Sequence, residues 1–410
     1  MSDAMTREEP TGESAVGEEV TAPELTIPAL ALVVIASGDI ATAREFAARH
    51  FTPAEIALVA PEVASPEAFL AARGVLDRRL AEGELAVALP LGDDPALIAT
   101  LIRDAHSRDV SAVAIALGGA VPLARFPVGP RGFAAAHALA SLEAWTAARV
   151  TRRPLACDLR GERGPFDIIG DVHGCYDELL DLLAALGYTR DEGAAGGWRH
   201  PDGRRVIFVG DLVDRGPGVV AVARLAMALV AAGQGFCAPG NHDVKLARAL
   251  EGRNVFVAHG LRESLDQIAA LPAEERAAFT RDFVAFVRAL PPYLWLAEGD
   301  LIVAHAGLPE RYHGRVSERI RALALYGETT GWEDEYGHPQ RIDWAADYGG
   351  AAAVVYGHTP WRETHWRHNT INVDTGCVHG GRLTAVRWPE RDLVSVPARR
   401  VYAPRAGGLR

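Results

Sequence analysis

Residues 166–188 read FDIIGDVHGCYDELLDLLAALGY: a short apolar run, a turn bounded by glycines that carries Asp171 and His173, and then apolar residues at helical spacing. The same pattern recurs twice. In RRVIFVGDLVDRGPGVVAVARLAMALV (204–230) the turn carries Asp211, Asp214 and Arg215, and in GQGFCAPGNHDVKLARAL (233–250) it carries Asn241 and His242. Three strand ends thus each deliver polar, metal-type side chains into a loop ahead of a helix, which is where open α/β sheets place their sites. Farther on, YLWLAEGDLIVAHAGL (293–308) predicts a strand pair and ends in His305. AAVVYGHT (352–359) ends a strand in His358, and the β-rich TINVDTGCVHGGRLTAVRW (370–388) holds Asp374.

Singly, Asp or Asn beside glycine is ordinary turn chemistry, and a lone strand-end histidine is ordinarily just hydrogen-bonded. Their ordered recurrence is what points to a site. Carboxylate oxygen combined with imidazole nitrogen suits Mn, Fe or Zn. One carboxylate shared by two cations spaces them about 3.5–4 Å apart, so that both polarise a phosphoryl group and activate a bridging water. An arginine grips phosphate oxygens bidentately, and His242 with Asp214 behind it makes a general-acid pair.

Composition bounds the rest. The chain has 410 residues and a formal net charge of −11, and Lys245 is its sole lysine. A P-loop requires a lysine on the nucleotide phosphates and Schiff-base chemistry a lysine nucleophile, so both are excluded unless Lys245 serves. The acidic balance argues against extended electrostatic binding to nucleic acid. No run reaches the roughly 18 apolar residues of a membrane span, and the acidic N-terminus is no signal peptide, so a cytoplasmic protein with no membrane partner is expected. Cys157, Cys175, Cys237 and Cys377 form no CxxC pair and read as reduced, buried thiols.

The expected organisation is a flexible acidic tail over 1–25, an α/β domain over 26–150, a linker over 151–164 and a second α/β domain over 165–410. In the first domain LALVVI (30–35), LAVAL (85–89) and VSAVAIAL (110–117) read as buried strands and FAAAHALASLEAWTAA (133–148) as a helix. LPAEERAAFTRDFVAFVRAL (271–290) reads as an amphipathic helix, a lid or partner surface. His365, His368 and His379 read as solvated or unassigned, and Trp361, Trp366 and Trp388 as packing.

GDVHG, GDLVDRG, GNHD, VAHAG and YGHTP resemble the motifs of the calcineurin-like metallophosphoesterases, an α/β sandwich fold, and in particular their phosphoprotein-phosphatase branch. With LYGETTGWEDEYGHPQRIDWAADYGG (325–350) and INVDTGCVHGG, residues 155–390 are similar to the central phosphatase module of bacterial polynucleotide kinase-phosphatases, which repair RNA ends. The resemblance implies Asp171, His173 and Asp211 on one metal, and Asp211, Asn241, His305 and His358 on the other. It implies Arg215 on the phosphate, His242 with Asp214 as the proton donor, and Asp374 as a further substrate-side carboxylate. Two divalent ions are expected, manganese first, with iron, zinc or nickel compatible. The expected reaction is phosphomonoester hydrolysis at 2′- or 3′-phosphates or 2′,3′-cyclic phosphates of RNA ends. Diadenosine polyphosphate hydrolysis and protein phosphatase activity are the alternatives, and a non-catalytic repair scaffold the reading from another class. Substrates would be RNA ends or nucleotides; separate RNA-repair proteins and self-association are the partners left open. The stretch 25–56 resembles the start of that family's P-loop kinase module, but Ala36-Ser37-Gly38-Asp39-Ile40-Ala41-Thr42 stands where the Gly-Lys-Ser/Thr loop belongs. A degenerate kinase-like domain that binds no ATP is expected, and no ligase module.

Overall fold

The computed structural model describes residues 22–59, 65–90, 94–191, 193, 196–333 and 339–404. Most of the expected tail and residues 334–338 of the 325–350 segment lie outside the described residues.

The first α/β unit is a parallel five-stranded sheet in the spatial order Ile56–Val59, Ala86–Leu89, Ala31–Ser37, Ser111–Leu117, Ala135–Leu139. Its central strand, ALVVIAS, is buried throughout, as a strand covered on both faces must be. Leu32, Val34 and Ala36 enter one core while Ala31, Val33 and Ile35 enter the other, the period of two that a pleated strand imposes. Two boundaries differ from the sequence reading. Glu24–Pro28, which begins inside the expected tail, pairs in parallel with Arg149–Arg153, which runs into the expected linker. The predicted helix over 133–148 is instead the strand Ala135–Leu139 followed by the short helix Leu142–Ala147. The alanines favour helix locally, but pairing with Val113–Leu117 overrides that propensity.

The rest of the expected linker is bound to the second unit. Leu159 N donates to Trp295 O at 2.9 Å and Trp295 N to Cys157 O at 2.8 Å. The second unit packs two sheets face to face. One has the order Gly235–Cys237, Arg205–Phe208, Phe166–Ile169, Arg382–Trp388, Leu393–Pro397; the other Leu294–Leu296, Leu301–Val303, Ala353–Tyr356, Thr370–Asn372. Phe166, Ile168, Ile207 and Val209 meet Leu301, Val303, Ala353, Val355 and Ile371 between the sheets. Ile169, Val206 and Phe208 point the other way, onto the helices Tyr176–Leu186 and Val219–Ala231. The two units touch where the Arg315 guanidinium donates to Arg108 O at 2.6 Å and Ala81 O at 2.5 Å, and Ser317 Oγ to Asp109 Oδ1 at 2.8 Å. No helix among the described residues is long and apolar enough to cross a membrane.

Candidate active site

Six strands, three from each sheet, end at one edge of the sandwich, and the candidate residues follow them directly. Phe166–Ile169 leads to Asp171 and His173, Arg205–Phe208 to Asp211, Asp214 and Arg215, and Gly235–Cys237 to Asn241 and His242. From the facing sheet come His305, His358 and Asp374. The turns are tight. His173, Asp211, Asp214, Arg215 and His358 all have positive φ, between 45° and 73°, a conformation non-glycine residues adopt at a cost and one that concentrates at functional sites. Gly240 and Gly357 are required by close approach. A Cβ on Gly240 would lie 1.9 Å from Asp211 N, and one on Gly357 2.0 Å from Asp171 Oδ1.

Asp211 sits at the centre. Its Oδ2 is 3.5 Å from His173 Nε2 and 3.4 Å from His305 Nε2, and its Oδ1 accepts His242 N–H at 2.9 Å. Two groups of ligand-type atoms share it: His173, Asp211 and His242, and Asp211, His305 and His358. Asn241 Oδ1 joins the second, 2.9 Å from His305 Nε2. Asp171 lies beside them, its carboxylate accepting His358 N–H at 3.1 Å. Asp374 accepts Gly376 N–H at 3.0 Å.

Tautomers follow from the backbone. His173 Nδ1 is 2.8 Å from Val213 O and His305 Nδ1 3.2 Å from Val209 O. A carbonyl only accepts, so both Nδ1 atoms carry a proton, and on His173, which burial and then Arg215 hold well below the ordinary imidazole range, the Nε2 lone pair turns inward. His305 Nε2 lies 2.9 Å from Asn241 Oδ1 and 3.0 Å from His358 Nδ1, while His358 Nε2 is buried without a hydrogen-bond partner. A buried ring nitrogen left in that state beside clustered carboxylates calls for a cation. The electrostatics agree. Burial, then the Asp374 and Asp211 carboxylates, push Asp171 well above the usual carboxylate range, and burial chiefly raises Asp374 to about 6. Burial pushes Asp211 up as well, but His305, His242 and His173 outweigh it and hold it well below. Burial, with His305 and Arg341 nearby, keeps His358 well below the ordinary imidazole range. The donor set therefore fits two divalent cations of the Mn, Fe or Zn type.

Arg215 spans the first group, with Nη1 2.6 Å from His173 Nε2 and Nη2 3.0 Å from His242 Nε2. His242 Nδ1 is 2.6 Å from Asp214 Oδ2, and Ser264 Oγ donates to Asp214 Oδ1 at 2.5 Å. Sequence reading missed Ser264, because it lies fifty positions from its partner in an unremarkable helix. It also missed Asp243, which was visible in GNHD. Asp243 accepts Leu212 N–H at 2.9 Å and Gly240 N–H at 3.0 Å, stitching the second and third loops together.

A cavity of about 150 Å³ opens beside His358, lined among others by Arg341, Trp344, Tyr356, Thr359 and Trp361. The 325–350 segment thus borders the site, and Trp361, read as packing, lines this cavity. Trp388 is buried between the sheets, with Trp366 packed against that core. His368 Nε2 contacts Ala346 O and His379 Nδ1 contacts Ala403 O, and His365 is exposed; none of these joins the two groups. In the first unit Asp39 accepts Ala41 N–H and Thr42 N–H, both at 3.1 Å. The helix terminus after the central strand is therefore taken by the chain's own carboxylate.

Comparison with known proteins agrees with this geometry. The calcineurin-like phosphoesterase model matches residues 164–362. The bis(5′-nucleosyl)-tetraphosphatase PrpE (asymmetrical) of Geobacillus sp. (strain WCH70) is 45% identical over 238 residues, covering 58% of this chain and 96% of that protein. Its counterpart in Halalkalibacterium halodurans is 46% identical over 234 residues, covering 57% and 94%. With paired imidazole groups sharing one buried carboxylate, and relatives matched along almost their whole length, the chain belongs to the calcineurin-like phosphoesterases, hydrolases acting on phosphoester bonds.

Proposed function

We propose that the chain is a dinuclear-metal phosphohydrolase acting on nucleotide phosphates, with bis(5′-nucleosyl) tetraphosphates as its leading substrate class. The observation that carries the metal part is the position of Asp211 Oδ2, 3.5 Å from His173 Nε2 and 3.4 Å from His305 Nε2. The names and the near-complete coverage of the relatives support the substrate class. Asp171, His173 and Asp211 would hold one cation, and Asp211, Asn241, His305 and His358 the other, manganese being the proposed metal. When bound, such a pair supplies Lewis-acid polarisation of the phosphoryl oxygens and a nucleophile at neutral pH.

The chain's own groups do the remainder. Arg215 presents two guanidinium nitrogens on the side where His173 and His242 converge, suited to two oxygens of one phosphate. A leaving alkoxide needs a proton, which His242 would deliver from Nε2; a leaving nucleotide phosphate is a weaker base and depends on that proton less. Asp214, on Nδ1, orients the ring and stabilises the imidazolium. Ser264 occupies the other Asp214 oxygen and keeps that carboxylate from turning away. Asp374, raised to about 6 chiefly by burial, lies close enough to Asp171 to push that carboxylate up, and would face the substrate from there.

Phosphate at RNA ends is the second reading, favoured by the α/β unit that precedes the phosphoesterase. We propose that this unit is a degenerate P-loop-kinase-like domain. The loop after its central strand supports that reading, since Asp39 fills the anion position with carboxylate and there is no lysine to meet a phosphate. The test is turnover with added Mn²⁺ of diadenosine tetraphosphate, a 2′,3′-cyclic-phosphate RNA oligonucleotide and a phosphopeptide. The tetraphosphate is expected to be cleaved with the highest kcat/KM. A phosphopeptide that matches it would overturn the nucleotide reading, and an RNA end that exceeds it would promote the second one.

A further inference from the structure

The residues of the candidate site address only phosphate and are indifferent to what the phosphate carries. Selection for a nucleotide must come from groups around them. The exposed aromatic side chains of the described surface are unevenly placed. Phe256 is 81% exposed, Trp332 74% and Tyr326 44%, and all three lie on the two segments that border the site.

Phe256 belongs to the loop that leaves the helix Asn241–Leu250. The far end of that loop lies against the phosphate-side arginine. Lys245 Nζ donates to Ala258 O at 3.1 Å, and a Cβ on Gly260 would come 2.4 Å from Arg215 N and 2.6 Å from Arg215 Cγ. At no more than about 3.6 Å per residue, the four residues from Gly260, which itself touches Arg215, keep Phe256 within about 14 Å of Gly260. Trp332 stands on the opposite border, in the strand Thr329–Glu333. Thr329 pairs with Arg341, and both Arg341 and Gly327 line the cavity that His358 also lines. Three residues along the strand keep Trp332 within about 11 Å of Thr329. Burying a large apolar side chain stabilises by about 1.5–3 kcal/mol. Two rings left in solvent, each on a segment whose other end meets the site, are therefore surfaces a ligand can cover.

We propose that Phe256 and Trp332 form the nucleoside-binding pair of this enzyme, each stacking on a nucleobase carried by the phosphate chain in the site. Every base has a π-face that stacks on an aromatic ring, so such a pair selects nucleotides over phosphoproteins without choosing among bases. The inference rests on the nucleotide reading above and extends it to residues.

The test uses the full chain with Mn²⁺ and p-nitrophenyl phosphate as a base-free reporter substrate. Inhibition of its hydrolysis by diadenosine tetraphosphate and by inorganic phosphate is compared in wild type, Phe256→Ala, Trp332→Ala, Phe256→Tyr and Trp332→Phe. In wild type the dinucleotide should bind more tightly than phosphate. The ratio of the two inhibition constants should fall roughly 5- to 150-fold in each alanine variant, the range measured for one base stacked on one ring, and the aromatic replacements should keep it. A wild-type ratio near one, or alanine variants that retain the wild-type ratio, overturns the pair even if the tetraphosphate is cleaved. A dinucleotide held tightly through both rings yet never hydrolysed would overturn the substrate reading and leave the pair standing.

Discussion

His242 carries the sharpest consequence at the scale of single residues. If it protonates the leaving oxygen, His242→Ala should lower kcat roughly 10²- to 10⁴-fold on a nucleoside 3′-monophosphate, whose leaving oxygen is a basic alkoxide. The loss should be much smaller on p-nitrophenyl phosphate, whose leaving group departs as a stable anion. Equal losses on both substrates, measured by steady-state kinetics, would assign His242 to binding instead. Most of this residue set was legible in sequence because each member sits within a few positions of a glycine-bounded turn. The spacing of Asp171 and His173, or of Asp211, Asp214 and Arg215, is a local property of one loop. Ser264 was not legible, since its partner is Asp214 and nothing in LRESLDQIA announces that contact. The aromatic pair was equally hidden, because exposure is decided by what fails to pack against a residue.

At the scale of elements, Asp167 shows how a strand is fastened. It lies in FDII, which reads as a short apolar strand, yet Asp167 is wholly buried. Both of its oxygens accept Arg204 Nε at 3.0 Å, and Arg387 Nε stands 3.3 Å away. Arg204 in turn reaches Glu390 at 2.8 Å and the carbonyl of Phe166 at 2.8 Å. The cluster joins the strand that leads to Asp171, the strand that leads to Asp211 and the antiparallel strand Arg382–Trp388. Asp167→Ala should destabilise the protein by about 3 kcal/mol, the low end for breaking a buried pair, because Arg204 keeps its other acceptors. Urea unfolding would measure this, and a loss near zero would show the cluster to be dispensable. The strand Ala135–Leu139 makes the complementary point. Its alanine-rich sequence predicts helix, and only the open edge of the sheet beside Ser111–Leu117 makes it a strand.

Across the whole molecule, the two halves of the site come from facing sheets. His173 and Asp211 belong to one, His305 and His358 to the other, and the buried carboxylates Asp171, Asp211 and Asp374 lie close enough to one another to repel. Cations in that position bind the folded state and not the unfolded one, so they stabilise it by about 2.7 kcal/mol at a hundredfold excess over Kd. Chelation with EDTA should therefore lower the Tm of the phosphoesterase unit by ~5–10 °C, and Mn²⁺ should restore it. Unchanged melting in a calorimeter would argue against metal at this site. The same scan should leave the transition of the first unit in place, since its separate sheet carries none of the proposed ligands.

The sequence by itself determined the ligand-type residues, their order and the strand–loop–helix frame that presents them, because these are short-range patterns of glycine, polar and apolar positions. Only the tertiary structure decided that six such loops converge on Asp211 and that Val213 and Val209 carbonyls turn His173 and His305 inward. It likewise decided that Ser264, Asp243 and Asp167 support the site, and that Phe256 and Trp332 stand uncovered beside it. Those facts depend on which distant segments the two sheets bring into contact, and no local pattern encodes a contact between residues thirty or more positions apart.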